Sequence, residues 1–227
     1  MRKTLTTILI ITTLIITSSQ SEAQLSHEDA KTVWQKIEKA TELHLPFEVK
    51  EEKTPNAWVR NGNSVTVTTG LLKILDTKSE LYCVLAHEAG HAKLDHHEQT
   101  ATRATGLSLL SFILGRMVDS DIGEVAANVG AQLAYSGWSR EQEIEADDYA
   151  VTLAHNQKEN PVGMYTALQK LSKINKTEPS GFNSHPPDER RLLHVRNKII
   201  ELNPKAKIPN QTQTINQNQT NQTNQTK

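Results

Sequence analysis

His87-Glu88-Ala89-Gly90-His91 constrains this chain more than any other stretch of it. Residues four apart on a helix differ by ~40° in direction and ~6 Å in rise, so both imidazoles can lean onto one point. A zinc ion at that point accepts two ring nitrogens. Glu88 directly follows the first of them. Its carboxylate sits beside the ion without binding it and can take a proton from a water there. The pattern works only on a helix, and the sequence supplies one. Thr77-Lys78-Ser79-Glu80 is a capping-box start, and Leu81, Val84, Leu85 and Leu94 carry the apolar face onward.

Two imidazoles do not make a site, and two regions compete to supply the third ligand. His97 lies ten residues after His87, the spacing of the long zinc motif. That motif needs a glycine where this chain has Leu94. Kept helical, His97 would lie ~15 Å along the axis from His87. The second region is the acidic stretch Ser139-Arg-Glu-Gln-Glu-Ile-Glu-Ala-Asp147. Glu143 and Asp147 are four apart and share a face. In this reading Glu143 binds the metal, and Asp147 accepts the outer ring N–H of a ligating histidine, which fixes its tautomer. Glu141 and Glu145 read as the solvated face of the same helix. His96 and His97 fall at the end of the motif helix, where imidazolium suits the negative pole of the dipole. Either could line the site, but neither reads as a ligand. Cys83, the single cysteine, reads as a small buried hydrophobe and leaves no intrachain disulfide.

The rest of the chain places this centre in a domain. Ser26 to Leu43 is a predicted helix. Phe47–Glu52, Trp58–Arg60 and Ser64–Thr69 are short predicted strands, the last two parted by Asn61-Gly62-Asn63. Helices are further predicted over Leu107–Val118, Asp121–Tyr135, Ser139–Asn156, Asn160 to about Ile174, and Pro186–Leu202. With 25 basic and 26 acidic residues there is no broad cationic face for nucleic acid. Residues 1–23 read as a signal peptide: Arg2 and Lys3, an apolar run from Leu5 to Ile16, then a small-x-small site at Ser21-Glu22-Ala23. The expected organisation is residues 24–203 as one α+β domain and 204–227 as a disordered tail rich in Asn, Gln and Thr. The expected location is outside the cytoplasm, periplasmic in a bacterium, with no membrane span in the mature chain.

The quoted residues resemble the HtpX-like and CAAX-prenyl-endopeptidase family of zinc metallopeptidases, which are gluzincins, and within it the periplasmic BepA/LoiP-like branch. The likeness runs from about Asn56 to Arg191. It rests on the strand block Asn56–Leu72, on the zinc helix with His96, on Ser139–Asp147, and on Ser184-His-Pro-Pro-Asp-Glu-Arg-Arg191. The resemblance implies a mainly helical zincin-like domain with a small antiparallel sheet ahead of the zinc helix. It implies one zinc ion on His87, His91 and Glu143, with Glu88 as general base. It brings in His185 and Arg191 as catalytic groups that stabilise an oxyanion, or, for the histidine, as a cap on the zinc at rest. It implies cleavage of unfolded or misassembled exported proteins and leaves open a partner in outer-membrane or envelope assembly. Substrate is expected to add as a strand near Val65, Val67 and Thr68. The alternative from another class is a chaperone-like binding protein with a structural or latent zinc site.

Overall fold

The computed structural model describes residues 24–103, 105–106, 137–177 and 185–209. The signal peptide, the two helices predicted within 107–135 and the end of the tail lie outside the described residues.

Helix α1, His27–Thr41, is started by Ser26, which accepts from the Asp29 N–H while Asp29 accepts from the Ser26 N–H. Ala30, Val33, Trp34 and Ile37 form its buried face. Three strands follow: β1 (Phe47–Lys50), β2 (Ala57–Arg60) and β3 (Ser64–Thr68). β2 and β3 form a hairpin whose turn places Asn61 and Gly62 at φ 51° and 68°. Two adjacent left-handed residues match the right-handed twist of the strands.

Two expectations about the sheet need correction. The order is β1-β3-β2, with β3 antiparallel to β2 but parallel to β1, so the sheet is mixed. β3 is also the middle strand. Both of its edges are hydrogen-bonded, and Val65, Val67 and Thr68 are fully buried. These three residues therefore cannot receive an added substrate strand. Among the described residues the free edges of this sheet belong to β1 and β2.

Thr68 caps a short helix, α2 (Thr69–Ile74), which the strand reading missed. Helix α3, Lys78–Lys93, begins at Thr77 with the expected capping box. It is buried without interruption from Glu80 to His91, which makes it the axis of the fold. Around it stand α1, β2 and two later helices, α4 (Arg140–Asn156) and α5 (Val162–Thr177). Helix α6, Glu189–Leu202, packs on α4 and α5 and is capped by Asp188. Gly90 is what lets α4 approach α3. A Cβ there would lie 3.2 Å from Tyr149 Cβ and 3.3 Å from Ala146 Cα. The close approach turns the Glu143–Asp147 face of α4 toward the histidines of α3. Beyond α6, Ala206 and Ile208 still pack on the core, so the folded chain runs past the expected boundary at Asn203.

The architecture is thus α+β, mostly helical, with the small sheet preceding the central helix. Among the described residues no helix is long and apolar enough to cross a membrane.

Candidate metal centre

His87 and His91 lie on consecutive turns of α3, both buried, with their Nε2 atoms 3.0 Å apart. α4 brings Glu143 against them: its carboxylate oxygens stand 3.6 Å from His87 Nε2 and 3.5 Å from His91 Nε2. The segment before α6 adds His185, whose Nδ1 is 3.3 Å from His87 Nε2 and 2.8 Å from Glu143 Oε1. One donor atom from each of the four residues lies within 4.8 Å of every other. A tetrahedral ion with bonds of about 2.0–2.1 Å sets its ligand atoms about 3.3 Å apart. The observed separations bracket that figure.

The chemistry of the donors agrees with the spacing. His87 Nδ1 faces Asp147 Oδ1 at 2.9 Å. An ionised carboxylate only accepts, so this contact favours the His87 tautomer with its proton on Nδ1 and its Nε2 lone pair toward the cluster. Lone pairs and carboxylate oxygens converging in a buried space repel unless a cation lies among them. The residues present therefore fit a metal ion. His97, the rejected alternative, is exposed and stands apart from this group.

Arg191 holds the acidic side of the site. Fully buried, it donates from Nε and Nη2 to the two oxygens of Asp147 at 2.8 and 2.7 Å. Its Nη1 reaches the carbonyls of His185 and Pro186 and pairs with Glu143 Oε2. Burial would by itself raise the carboxyls of both acids. His185, His91 and Arg191 together outweigh it for Glu143, which is held well below the usual carboxylate range. Arg191, then His87, do the same for Asp147. Both acids stay ionised.

Glu88 faces the other side. Its Oε2 accepts the Val59 N–H from β2 at 2.9 Å. Among the described residues its Oε1 makes no hydrogen bond, and it lies 3.4 Å from His185 Nε2. Burial pushes the Glu88 carboxyl up, against the pull of His185 and His87. A raised carboxyl with one oxygen uncommitted beside a metal position is suited to accept and release a proton.

The chain reverses at Leu94-Asp95, with Asp95 at φ 52°, and returns His96 to the centre as a buried residue. Its Nδ1 is 2.9 Å from His91 Nδ1 and its Nε2 is 3.0 Å from Glu145 Oε2. Burial draws the His96 pKa below its ordinary value, with Glu145 opposing. Trp138 stacks on the His91 ring, centroids 4.5 Å apart and planes 19° apart. His96 lies just past the end of α3 and Glu145 is exposed, as the sequence suggests; Trp138 is the neighbour that the sequence does not single out. No fixed spacing signals these contacts: those of His96 depend on the turn at Asp95, and the Trp138 stack on how the segment before α4 lies against α3.

The comparison with known proteins decides the family. A profile of peptidase family M48 matches residues 8–199, most of the chain. The chain belongs to peptidase family M48. Its M48 relatives include metalloprotease LoiP of Escherichia coli (strain K12), 30% identical over 161 residues, covering 67% of this chain and 62% of LoiP. Metalloprotease YcaL of the same strain is 29% identical over 153 residues, covering 63% of this chain and 58% of YcaL. The beta-barrel assembly-enhancing protease of Yersinia pestis is 28% identical over 161 residues, 66% of this chain but 33% of that protein. The M48 chain thus spans about three fifths of LoiP and YcaL and a third of the third relative. It falls in the LoiP-like branch of M48, as the zinc-helix and His-Pro resemblances implied.

Proposed function

We propose that this chain is a zinc-dependent endopeptidase acting on unfolded or misassembled exported proteins. One observation carries the reading: two helical imidazoles and a distant carboxylate converge at tetrahedral spacing, with Glu88 buried beside them and one of its oxygens uncommitted.

His87, His91 and Glu143 would hold the zinc, and Asp147 and Arg191 would keep them in register. The ion would polarise the scissile carbonyl and make a neighbouring water acidic. Glu88 takes the proton from the attacking water, anchored meanwhile by the Val59 N–H, and delivers it to the departing amine nitrogen. Substrate strand addition moves from β3 to the outer edge of β2. That strand is paired on one side and already touches Glu88 through Val59. Backbone pairing there would hold a peptide in extended form with little dependence on its sequence, which suits unfolded clients.

Arg191 is reassigned. Its donors are spent on Asp147, Glu143 and two carbonyls, so it acts as a positioning residue rather than an oxyanion donor. His185 offers Nδ1 as a fourth ligand, which supports the cap over the oxyanion role. The same observation favours a latent state, because four protein ligands leave no open position. A chaperone-like protein with a permanently closed zinc site is the second reading. Export, to the periplasm in a bacterium, follows the signal-like N-terminus, and a partner in beta-barrel assembly follows the name of the third relative.

The test is zinc-dependent cleavage of casein by the purified chain, run beside Glu88→Gln and His185→Ala. Zinc-dependent cleavage lost in Glu88→Gln supports the peptidase. Zinc bound with no cleavage in either the wild type or His185→Ala supports the closed binding protein.

A further inference from the structure

A ligating imidazole needs its outer nitrogen held by an acceptor, or the ring is free to turn and to present the wrong tautomer. For His87 that acceptor is Asp147. For His91 no carboxylate among the described residues is in reach on that side; the group at Nδ1 is another imidazole, His96, at 2.9 Å. The direction of that bond follows from the next link. Glu145 Oε2 lies 3.0 Å from His96 Nε2, and an ionised carboxylate only accepts. The proton of neutral His96 therefore sits on Nε2, and its Nδ1 is a lone pair. His91 Nδ1 must supply the proton between the two rings, which leaves the His91 Nε2 lone pair facing the metal position.

We propose that His96 and Glu145 form a positioning relay that holds His91 in its Nε2-ligating tautomer, the counterpart of Asp147 at His87. The inference rests on the metal-binding reading of the centre. Three further contacts hold the relay. Gln142 Nε2 donates to the His96 carbonyl at 3.1 Å, which fixes the backbone after the Asp95 reversal. Gln142 also bonds the Thr100 hydroxyl, tying the segment after His96 to α4. Trp138, stacked on His91, sets the plane in which Nδ1 meets His96. The two arms of the centre are thus built differently. His87 is backed by a buried carboxylate that Arg191 clamps, whereas His91 is backed through a neutral ring by a carboxylate whose side chain is 57% exposed. His96 and Glu145 touch no reacting atom and act only through His91.

The test uses the purified full chain loaded with zinc, and reads two quantities besides activity. One is the zinc dissociation constant by competition with a chromophoric chelator. The other is the tautomer of each ring, from long-range proton–nitrogen correlation spectra of histidine-labelled protein. The expected spectrum shows His91 protonated at Nδ1 and His96 at Nε2. His96→Leu should weaken zinc binding about 10–100-fold. His96→Asn, whose amide oxygen can replace the Nδ1 acceptor, should recover most of the loss. Glu145→Ala, a surface change, should weaken zinc binding less than His96→Leu and release the His96 tautomer. Wild-type affinity in His96→Leu, or His96 protonated at Nδ1 in the wild type, would overturn the relay. If His96→Leu fails to fold, an unchanged affinity and an unchanged His96 tautomer in Glu145→Ala overturn it instead. A wild-type chain that binds no zinc would sink the metal reading itself, a different outcome from zinc bound tightly by every relay variant.

Discussion

Arg191 and Asp147 meet end to end inside the protein, two nitrogens on two oxygens at 2.8 and 2.7 Å, with both side chains out of contact with solvent. A buried pair of this kind is costly to break from one side, because the surviving charge is left without a partner. Arg191→Ala should therefore lower the unfolding free energy by about 3–5 kcal/mol. Arg191→Lys should recover only part, since an ammonium cannot copy the planar fork. Urea denaturation of the chelator-treated chain checks this without interference from metal. A loss below about 1 kcal/mol would place the pair among merely surface-like bridges.

Glu88 is expected to matter for turnover and not for metal. Glu88→Gln keeps an oxygen for the Val59 N–H and keeps the volume of a fully buried side chain. The variant should bind zinc like the wild type and lose about 10²–10⁴-fold in the rate of peptide cleavage. Parallel zinc titrations and casein assays separate the two effects.

His185→Ala opens the fourth donor position. With zinc saturating, cleavage by this variant should rise above wild type while zinc affinity falls. A fall in turnover at saturating zinc would instead assign His185 to charge stabilisation in the transition state.

Acid should weaken the junction of α1 and α3. Lys78 first, then Ser26, holds the Asp29 carboxyl down at about 2, against an ordinary value of 3.8. A depressed folded pKa adds stability above the unfolded value and loses it as pH falls through the folded one. Asp29→Asn should thus be less stable than wild type at pH 5 to 7. The gap should close between pH 4 and pH 2. Thermal melts of both chains across that range measure it.

Much of this was legible from spacing alone. His87, His91, Glu143 and Asp147 are two i,i+4 pairs, and helix geometry fixes what each pair can do before any packing is known. The capping box at Thr77 likewise marked the start of α3 to the residue. What failed to show was long-range. Strand order is settled by pairing partners far apart in the chain, so nothing in Ser64–Thr68 revealed that β3 would be enclosed on both edges. Its valines and threonines alternate between the two faces, and that alternation carries no information about its edges. His96 was obscured by Asp95, a non-glycine residue that takes the left-handed conformation the reading reserved for glycine. Arg191 and His185 lie more than forty residues beyond Glu143. Only the resemblance suggested them, and it did not show that Arg191 would be spent on Asp147 and Glu143.

The central claim is that His87, His91 and Glu143 together grip one metal ion. Zinc stoichiometry and affinity of the purified chain beside Glu143→Ala test it most directly. One zinc per wild-type chain, with binding to Glu143→Ala weakened by 10-fold or more, is the predicted result. Wild-type affinity retained in Glu143→Ala would contradict the account and remove its third ligand.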